Sequence, residues 1–530
     1  MENNSSKLGL IKKALYIWAV QYHFVIPKEI LKGYVHKYRH ESENISKYGQ
    51  RYYDPSDAQQ YQKWLTFQKE ELQEDRCQNV TFLGKNLDSS LYRGHPVVSE
   101  LKDVKTEYTC ITSKHVKPYD LFFSCLNEIN DEDIIYYDHD HFIRGKRENP
   151  VLKPDFSYDS LRGFNYIGDL FVVRTELLKQ FSDLNPWNIL LHLSDQKRTW
   201  KHVEKICYGV DQGSVFDQTV LQNYLKERKI EASIRETEDH NACYVSYVLK
   251  EKPLISIIIP TKDGLRDLKR CLNSIFAKST YENYEIIIAD NNSEKQETSD
   301  YFDEIQKVHQ NVKVIRVNSP FNFSYINNVA VKQSHGEYLI LLNNDTEVIT
   351  PDWMEKMLSY AQLDHVGSVG AKLYYEDGTI QHGGVISGKG GGFAHRYYRK
   401  PHDEKGYMHT LEIPNDVFCC TAACLMIPRK KYDETGGLNE ELAVQFNDAE
   451  FGLELLEHGY FNVFLPDVEL YHYESKSRGI DKDKDAVERY VSEVDYAQEH
   501  YGKYIEHDPF YNDNFDKNYD YMLKVGTGSN

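Results

Sequence analysis

The stretch from Leu254 to Pro260 constrains the fold most, because it is a nearly unbroken apolar run of strand length that ends at proline. Such a run is typical of a parallel strand that is buried on both faces. Helical spacing follows over residues 263–277, and a second apolar run, residues 284–290, leads into the polar turn 290–293. Strand, helix and strand in this order predict a doubly wound α/β sheet.

Two further strands continue this pattern. Residues 312–317 predict a third strand, residues 325–334 a helix, and the apolar run 338–342 a fourth strand. Thr350 and Pro351 predict the start of a helix, with threonine as the cap and proline in the first turn. Ligands of doubly wound sheets bind at the carboxyl ends of the strands, so the polar residues there are candidates for a binding site. They are Pro260, Thr261, Asp263, Asp290, Asn291, Asn344 and Asp345.

The sequence has neither of the common glycine-rich loops that hold phosphates after a first strand. No Gly-x-Gly-x-x-Gly pattern and no P-loop follows Pro260. Asp345 stands in a polar turn directly after the fourth strand, where a carboxylate can bind a hard divalent ion that bridges a diphosphate. The alternative is that residues 343–345, Asn-Asn-Asp, form a turn with a structural role only.

Composition limits the classes of function. A chain of 530 residues is long enough for about three or four domain-sized units. Its formal net charge of −19 argues against a nucleic-acid partner, because binding through phosphates needs clustered Lys and Arg. Nine cysteines without metal-type spacing predict reduced, buried thiols and a cytoplasmic protein. The apolar run Ala14–Pro27 is too short to span a bilayer, and no cleavage site follows it.

The beginning of the chain predicts helices with a basic character. Residues 5–73 carry apolar positions at helical spacing, with Pro27 as a break. Residues 7–39 are rich in Lys and Arg, and Glu29 is their single acid. Two interpretations are open: a helix pair that packs on the next domain, or basic helices in peripheral contact with the inner face of the plasma membrane.

A series of motifs runs through the second half of the chain. It consists of IIIPTKD (257–263), IADNNS (288–293), GEYLILLNNDTE (336–347), DGTIQHGG (377–384), TAACLMI (421–427), FNDAE (446–450) and HYESKSRG (472–479). Each motif alone is weak evidence, but the ordered set resembles the inverting glycosyltransferases of family 2, in particular tandem-domain, polysaccharide-assembling members related to rhamnosyltransferases. The resemblance implies the GT-A fold, a Rossmann-like doubly wound mixed sheet.

The resemblance also implies roles for single residues. Asp448 falls at the position of the catalytic base, which takes the proton of the acceptor hydroxyl. Asp345 and His472 would bind Mn²⁺ or Mg²⁺ at the donor diphosphate, and asparagine in place of the first acid of the metal motif leaves one carboxylate ligand. The residues implied to bind the nucleotide-sugar donor are Pro260, Thr261, Asp263, Asp290, Asn292, Asn327, Asn344 and Arg478, with Arg478 or Lys476 in a loop that closes over the donor.

The glycine cluster Gly388–Gly392 lies between the donor half and the acceptor half of this region. Glycine-rich runs allow backbone motion, so the cluster predicts a lid over the donor or acceptor, or else a plain surface connection. His382 and His395 flank the cluster and are candidates for contact with the acceptor.

The region from Tyr108 to Gly209 resembles an earlier, degraded copy of the same unit. Its pair Asp138 and Asp140 is not assigned to a metal, because the family order places the metal element near residues 108–115, which contain no carboxylate. Pro186 stands at the position of the base, and an apolar first strand ending in Pro-Thr is missing. We expect this copy to have lost transfer activity and to hold the acceptor, dimerise or brace the second copy.

The sequence thus predicts a helical region at residues 1–75, a degenerate GT-A-like domain at 76–250, a catalytic GT-A domain at 251–482 and a C-terminal helix and tail at 483–530. The predicted function is inverting, metal-dependent transfer of a sugar from UDP-hexose or dTDP-rhamnose to a glycan, glycoprotein or lipid-linked acceptor in cell-surface polysaccharide or glycoconjugate synthesis. A non-catalytic carbohydrate-binding or scaffold protein and a sugar nucleotidyltransferase are the alternatives. Assembly into a homo-oligomer is left open.

Overall fold

The computed structural model describes residues 52–68, 72–74, 77, 79–211, 216–389, 392–473 and 484–525. The basic segment 7–39, Lys476 and Arg478 lie outside the described residues. All nine cysteines lie within them, none is part of a disulfide, and all except Cys77 are buried, as predicted. None of the helices in the described part of the chain combines the length and the apolar character that a membrane-spanning segment needs.

Strands and helices alternate along most of the chain. The first half contains β1 (Tyr52–Tyr53), α1 (Ala58–Phe67), β2 (Val80–Leu83), β3 (Val97–Val98), β4 (Tyr108–Ile111), β5 (Val116–Pro118), α2 (Asp120–Leu126), β6 (Ile134–Ile143), β7 (Lys146–Val151), α3 (Tyr158–Gly163), β8 (Phe171–Arg174), α4 (Thr175–Leu178), α5 (Pro186–Ser194), β9 (Trp200–Val210), α6 (Gln218–Arg228), β10 (Ala232–Glu236) and β11 (Cys243–Tyr247). The second half contains β12 (Ile255–Thr261), α7 (Leu265–Lys278), β13 (Tyr284–Asp290), α8 (Gln296–Val308), β14 (Val312–Arg316), α9 (Phe323–Val331), β15 (Tyr338–Leu342), β16 (Thr346–Val348), α10 (Trp353–Ala361), β17 (Val366–Tyr374), β18 (Ile380–His382), β19 (Val385–Ser387), β20 (Phe393–His395), β21 (Asn415–Val417), β22 (Cys424–Pro428), α11 (Arg429–Glu434), α12 (Asn447–Glu457), β23 (Phe461–His472), α13 (Lys484–Glu506) and β24 (Leu523–Lys524).

The second half folds around one mixed sheet, which we call the second unit. Its strand order is β14-β13-β12-β15-β22-β17-β23-β16. Strand β12 runs parallel to β13 and β15, whereas β22 runs antiparallel to β15. Ile257 packs in the same buried cluster as Leu268 of α7, and Ile258 packs with Ile326 of α9. Helices therefore cover both faces of the sheet, and the predicted doubly wound α/β architecture is confirmed.

The first half contains a sheet with the same connectivity, which we call the first unit. Its order is β3-β2-β4-β8-β6-β9-β5. Strand β4 is parallel to β2 and antiparallel to β8, and β6 is antiparallel to β8 and parallel to β9. The second unit repeats this arrangement. Strand β15 is parallel to β12 and antiparallel to β22, and β17 is antiparallel to β22 and parallel to β23. The two units are topological copies of each other.

The first unit lacks most of the elements that lie between the first two parallel strands of the second unit, β12 and β15. Residues 84–107 connect β2 to β4 with the short strand β3 and two 3₁₀ turns, whereas two strands and three helices connect β12 to β15. The prediction that no first strand ending in Pro-Thr lies before Tyr108 agrees with the structure of the described residues, but a shorter first strand, β2, lies there, parallel to β4. Strand β2 has only four residues and leads into Gly84 instead of Pro-Thr, so its pattern is too short to be recognised.

The two units share packing, and the end of the chain returns to the first unit. The ring of Tyr360 lies 5.0 Å from that of Tyr247, and its hydroxyl donates to the carbonyl of Val245. Strand β24 pairs with β1, and Asn512 donates to Asp138 of β6 at 2.9 Å. The C-terminal segment thus connects the last helix, α13, to the first sheet.

Helix α10 begins later than the sequence pattern predicts. It starts at Trp353, with Asp352 rather than Thr350 at the N-cap position. The Thr350 hydroxyl instead donates to the carbonyl of Asp467 at 3.2 Å and accepts from the amide of Glu469 at 3.0 Å. The hydroxyl is used for a tertiary contact with β23, which a local pattern does not reveal.

Candidate active site

Asp345 and His472 meet at the carboxyl edge of the second sheet. Asp345 follows β15, and His472 ends β23, where it pairs with Thr346 of β16. Their side chains are only 8 % and 6 % exposed, and Oδ1 of Asp345 lies 3.3 Å from Nε2 of His472. The structure thus brings together the two residues that the sequence suggests as metal ligands.

Asn343 also faces His472, although the sequence did not single it out. Its Nδ2 lies 3.2 Å from Nε2 of His472, so the amide donates and the imidazole nitrogen accepts. Asn344 points elsewhere and donates to Oγ1 of Thr261 at 2.8 Å. Residues 344 and 345 form a turn between β15 and β16, so no strand period in the sequence identifies Asn343.

Asp448 stands in the first turn of α12, and two backbone amides hold its carboxylate. Oδ2 accepts from the amide of Ala422 at 3.3 Å, and Oδ1 accepts from the amide of Ala449 at 2.9 Å. The loop before the helix is held by Glu493 of α13, which is 3 % exposed. Its carboxylate accepts from the amides of residues 443, 444 and 445 at 2.9, 3.1 and 2.8 Å. Charge-assisted hydrogen bonds of this kind fix a loop firmly.

A histidine pair lies next to this carboxylate. Nε2 of the fully buried His382 accepts from the amide of Thr421 at 3.4 Å, and the next amide along the chain binds Asp448. Because a backbone amide only donates, the proton of neutral His382 is on Nδ1, which donates to Nδ1 of His395 at 2.7 Å. Burial, and then the neighbouring His395 and Arg396, hold the pKa of His382 well below its usual range.

Asp263 and Asp290 brace the turns after β12 and β13. The carboxylate of Asp263 accepts from the amides of residues 294–295 at 3.0 Å. Desolvation raises the pKa of Asp263, but these amides outweigh it and the pKa is lowered. Asp290 accepts from the amide of Ser293 at 2.9 Å and forms an ion pair with Arg316. Both acids therefore shape the turns in which a donor nucleotide is predicted to bind.

The other predicted donor-binding residues lie around the same turns. Asn292 has a positive φ of 62° and donates to the carbonyl of Ser319 at 2.9 Å. Asn327 of α9 is fully buried and donates to the carbonyl of Phe323 at 2.8 Å. Its Oδ1 has no hydrogen-bond partner among the described residues. Pro260 is partly exposed near the end of β12. Contact of any of them with a donor stays a prediction.

The hairpin of β19 and β20 carries the glycine cluster and packs beside the Asp448 loop. The ring of Phe393 lies 5.6 Å from that of Phe446, which directly precedes α12. Gly388 has a φ of +82°, and a Cβ there would lie 2.4 Å from the carbonyl oxygen of Ile505, so only glycine fits. Residues 390–391 are outside the described residues. Both interpretations of the cluster, a lid and a surface connection, stay predictions.

The first unit has His115 at the position of Asp345. In each unit the residue before the short edge strand accepts a hydrogen bond from the residue after the long strand. Asp211 donates to the carbonyl of His115 at 3.0 Å, and Tyr473 donates to the carbonyl of Asp345 at 2.9 Å. Val210, the residue before Asp211, pairs with the first residue of β5, just as His472 pairs with the first residue of β16. Valine therefore replaces the site histidine. The candidate metal ligands of the second unit therefore have no counterparts here.

The two acids of β6 are saturated by protein donors. Asp140 accepts from the hydroxyls of Tyr61 and Tyr119 at 2.6 Å each and pairs with Arg147 at 2.6 Å. Asp138 accepts from a backbone amide, an imidazole and a side-chain amide. This geometry agrees with the decision not to assign the Asp138-x-Asp140 pair to a metal.

Comparison with known sequences identifies the second unit. Residues 256–436 match the model of Glycosyl transferase family 2. The chain is 38 % identical over 410 residues to the uncharacterized protein y4gI of Sinorhizobium fredii, and the aligned region covers 72 % of this chain and 45 % of that protein. It is 32 % identical over 373 residues to the O-antigen biosynthesis protein RfbC of Myxococcus xanthus, which covers 66 % of this chain and 29 % of that protein. The chain thus spans less than half the length of either relative.

Solved structures show weaker similarity. GalNAc-T7 with UDP, GalNAc and Mn²⁺ overlaps 51 % of this chain and 52 % of its own, at a TM-score of 0.39 and 16 % identity. The mannosyltransferase PcManGT from Pyrobaculum calidifontis, in complex with GDP-Man and Mn²⁺, overlaps 43 % of this chain and 59 % of its own, at a TM-score of 0.33 and 14 % identity. The family match, taken with the strand order, confirms the GT-A fold class.

Proposed function

We propose that the chain, whose residues 256–436 match the Glycosyl transferase family 2 model, transfers a sugar, with inversion, from a nucleotide-diphosphate donor to a glycan, glycoprotein or lipid-linked acceptor. The donor class is UDP-hexose or dTDP-rhamnose. The similarity to an O-antigen biosynthesis protein supports a role in the assembly of cell-surface polysaccharide.

The observation that carries this proposal is the grouping of Asp345, His472 and Asp448 at one edge of the sheet. Two consecutive amides, of Thr421 and Ala422, bind the His382 ring and the Asp448 carboxylate. The amide of Asn343, whose side chain faces His472, donates to the carbonyl of the next residue, Ala423, at 3.0 Å. A protein that only binds carbohydrate has no need for a candidate base beside a candidate metal pair.

The residues at this edge fit a divalent cation. Nε2 of His472 accepts from Asn343, so this nitrogen carries a lone pair and no proton. A carboxylate oxygen of Asp345, which also carries lone pairs, lies 3.3 Å away. Two acceptors facing each other in a buried space are stabilised by a cation between them. Asp345 and His472 would hold Mn²⁺ or Mg²⁺. When bound, the ion neutralises the negative charge that develops on the departing diphosphate.

Asp448 supplies the other half of the chemistry. Its carboxylate takes the proton of the acceptor hydroxyl while the bond from that oxygen to the anomeric carbon forms and the bond to the nucleoside diphosphate breaks. The amides of Ala422 and Ala449 hold the carboxylate in place, and Glu493 holds the loop before it. The base is thus positioned by its own helix start and by α13.

The first unit acts as a brace in this proposal. It has histidine and valine at the two candidate metal positions, and the two acids of β6, Asp138 and Asp140, already accept from protein donors. The missing strands and helices between β2 and β4 are those that form the donor turns in the second unit. We therefore assign no transfer reaction to it.

A donor panel tests the proposal. The full chain is incubated with MnCl₂, UDP-hexoses or dTDP-rhamnose, and oligosaccharide or lipid-linked acceptors. We expect nucleoside diphosphate release from one donor, dependent on acceptor, with a product of inverted anomeric configuration. Release of pyrophosphate instead would support a nucleotidyltransferase. Absence of both release and nucleotide binding would support a carbohydrate-binding scaffold.

A further inference from the structure

Three potential metal ligands meet where the C-terminal segment crosses the first unit, away from the edge that carries Asp345. Glu204 belongs to β9, while His507 and Asp513 follow α13. One nitrogen of His507 and one carboxylate oxygen of each acid lie within 4.8 Å of one another, and all three residues are half-buried. One imidazole and two carboxylates form a ligand set that suits Zn²⁺ or Mn²⁺.

A β-bulge aims Glu204 at this point. The parallel register of β6 and β9 pairs Tyr137 with Val203 and then Asp138 with Ile206, so Glu204 lies in an insertion on β9. Bulges of this kind turn a side chain away from its regular direction. Oε1 of Glu204 accepts from the amide of residue 513 at 3.0 Å, which fixes the carboxylate against the C-terminal segment.

Glu204 and Asp513 place two carboxylates close together beside His507, and like charges at this distance repel each other. Among the described residues, no Lys, Arg or His forms an ion pair with Glu204. The neighbouring Lys517 lies 3.8 Å from Oδ1 of Asp513, whereas His507 contacts Oδ2 of the same carboxylate. A cation between Glu204 and Asp513 would remove this repulsion.

The imidazole of His507 is already oriented as a ligand. Its Nε2 lies 3.0 Å from Oδ2 of Asp155, and its Nδ1 lies 3.0 Å from Oδ2 of Asp513. Asp155 is held in turn by His202 at 3.3 Å. A carboxylate that accepts from one imidazole nitrogen, and so directs the other nitrogen to a metal, is the usual outer support of a histidine ligand.

We propose that Glu204, His507 and Asp513 bind a divalent transition-metal ion, Zn²⁺ or Mn²⁺, which fastens the C-terminal segment to the first unit. The ion takes the place of the proton on Nδ1 of His507, and Nε2 keeps its hydrogen bond to Asp155. This second site is structural, independent of the proposed transfer reaction, and stabilises the segment that ends in β24.

Metal binding by the full chain, without donor, tests this inference. The Asp345→Asn variant removes the candidate catalytic ligand, so any Mn²⁺ that it still binds belongs elsewhere. We expect Asp345→Asn to bind one Mn²⁺ per chain by electron paramagnetic resonance, and Asp345→Asn with His507→Gln to bind none at the same concentration. Equal Mn²⁺ binding by the two proteins, or none by Asp345→Asn, would overturn the proposal.

Thermal unfolding after chelation gives a second readout that does not depend on Asp345. Addition of ZnCl₂ or MnCl₂ should raise Tm of the wild type, because an ion that binds only the folded state stabilises it. The rise should be lost in Glu204→Gln, which keeps the acceptor for the residue 513 amide, and retained in the control His458→Gln, whose histidine is exposed. An equal rise in both variants would contradict the assignment.

Discussion

His115 of the first unit and Asp345 of the second occupy the same position in two copies of one strand arrangement. The carbonyl of each accepts from the residue that follows the long strand, at 3.0 and 2.9 Å. Because only the second unit has a carboxylate there, Asp345→Asn should lower transfer by about 100-fold or more, the scale of removing a key electrostatic group. His115→Asn should change it less than about 2-fold, within the range of a surface substitution. Initial rates of both variants test this, and equal losses would contradict the division of roles between the units.

The raised pKa of Glu450 predicts how the stability of the folded protein depends on pH. Its side chain is 6 % exposed and accepts from Asn439 and Tyr501 at 3.2 Å. Desolvation raises the pKa of Glu450 to about 7 from 4.5, so the folded protein binds this proton more tightly than the unfolded chain. Between these values the folded state holds the proton and the unfolded state does not, so stability should fall as pH rises through that window.

The Glu450→Gln variant tests this sign. It keeps the acceptor oxygen but cannot ionise, so it should gain on the order of 1–3 kcal/mol over the wild type at pH 8 and little at pH 4. Urea unfolding at several pH values measures the difference, with the exposed Glu441→Gln as a matched control. A wild type whose stability is flat between pH 4.5 and 7 would show that Glu450 does not titrate as described.

Glu493 should affect the rate more than the binding of the donor. Its carboxylate holds three amides of the loop before Asp448. Glu493→Ala should lower kcat by about 10-fold with a change of less than about 2-fold in the donor KM, since a misplaced base costs rate. Glu499→Gln, an exposed position of the same helix, should do neither. A change confined to the donor KM would contradict this positioning role.

Gly452 sets how closely α12 approaches the loop between β21 and β22. A Cβ at this position would lie 2.4 Å from the Cβ of Cys419, whereas a Cβ at Gly502 of α13 would meet nothing within 4 Å. Gly452→Ala should therefore lower stability by about 1–3 kcal/mol through overpacking. Gly502→Ala should leave it unchanged or raise it by up to about 1 kcal/mol. Thermal or urea unfolding separates the two, and equal stability of both variants would contradict the close packing of α12.

The apolar runs predicted the second sheet well because its strands are buried on both faces. The pattern at residues 257–259 is visible in any window, and the strand at 338–342 has the predicted bounds. Strand β2 was missed because four residues carry too little pattern. The cap at Thr350 was wrong because its hydroxyl serves β23, a partner 117 residues away.

In the candidate site, too, the sequence predicted what local motifs carry and missed what depends on tertiary contacts. Motif order indicated Asp345, His472 and Asp448, but not which residue of the Asn-Asn-Asp turn faces the histidine. The position of Asn343 becomes evident only when β23 is placed beside β16. The clamp by Glu493 joins residues about fifty apart in sequence, and no local pattern predicts such a contact.

The central claim is that Asp448 is the base of a transfer reaction, and one comparison tests it most directly. The Asp448→Asn variant keeps an acceptor for the Ala422 amide, so donor binding, measured by calorimetry with Mn²⁺ and the nucleotide sugar, should stay within about 3-fold of the wild type. Transfer to the acceptor should fall by about 100-fold or more, the scale expected for loss of a general base. Transfer at the wild-type rate with unchanged donor binding would contradict the account.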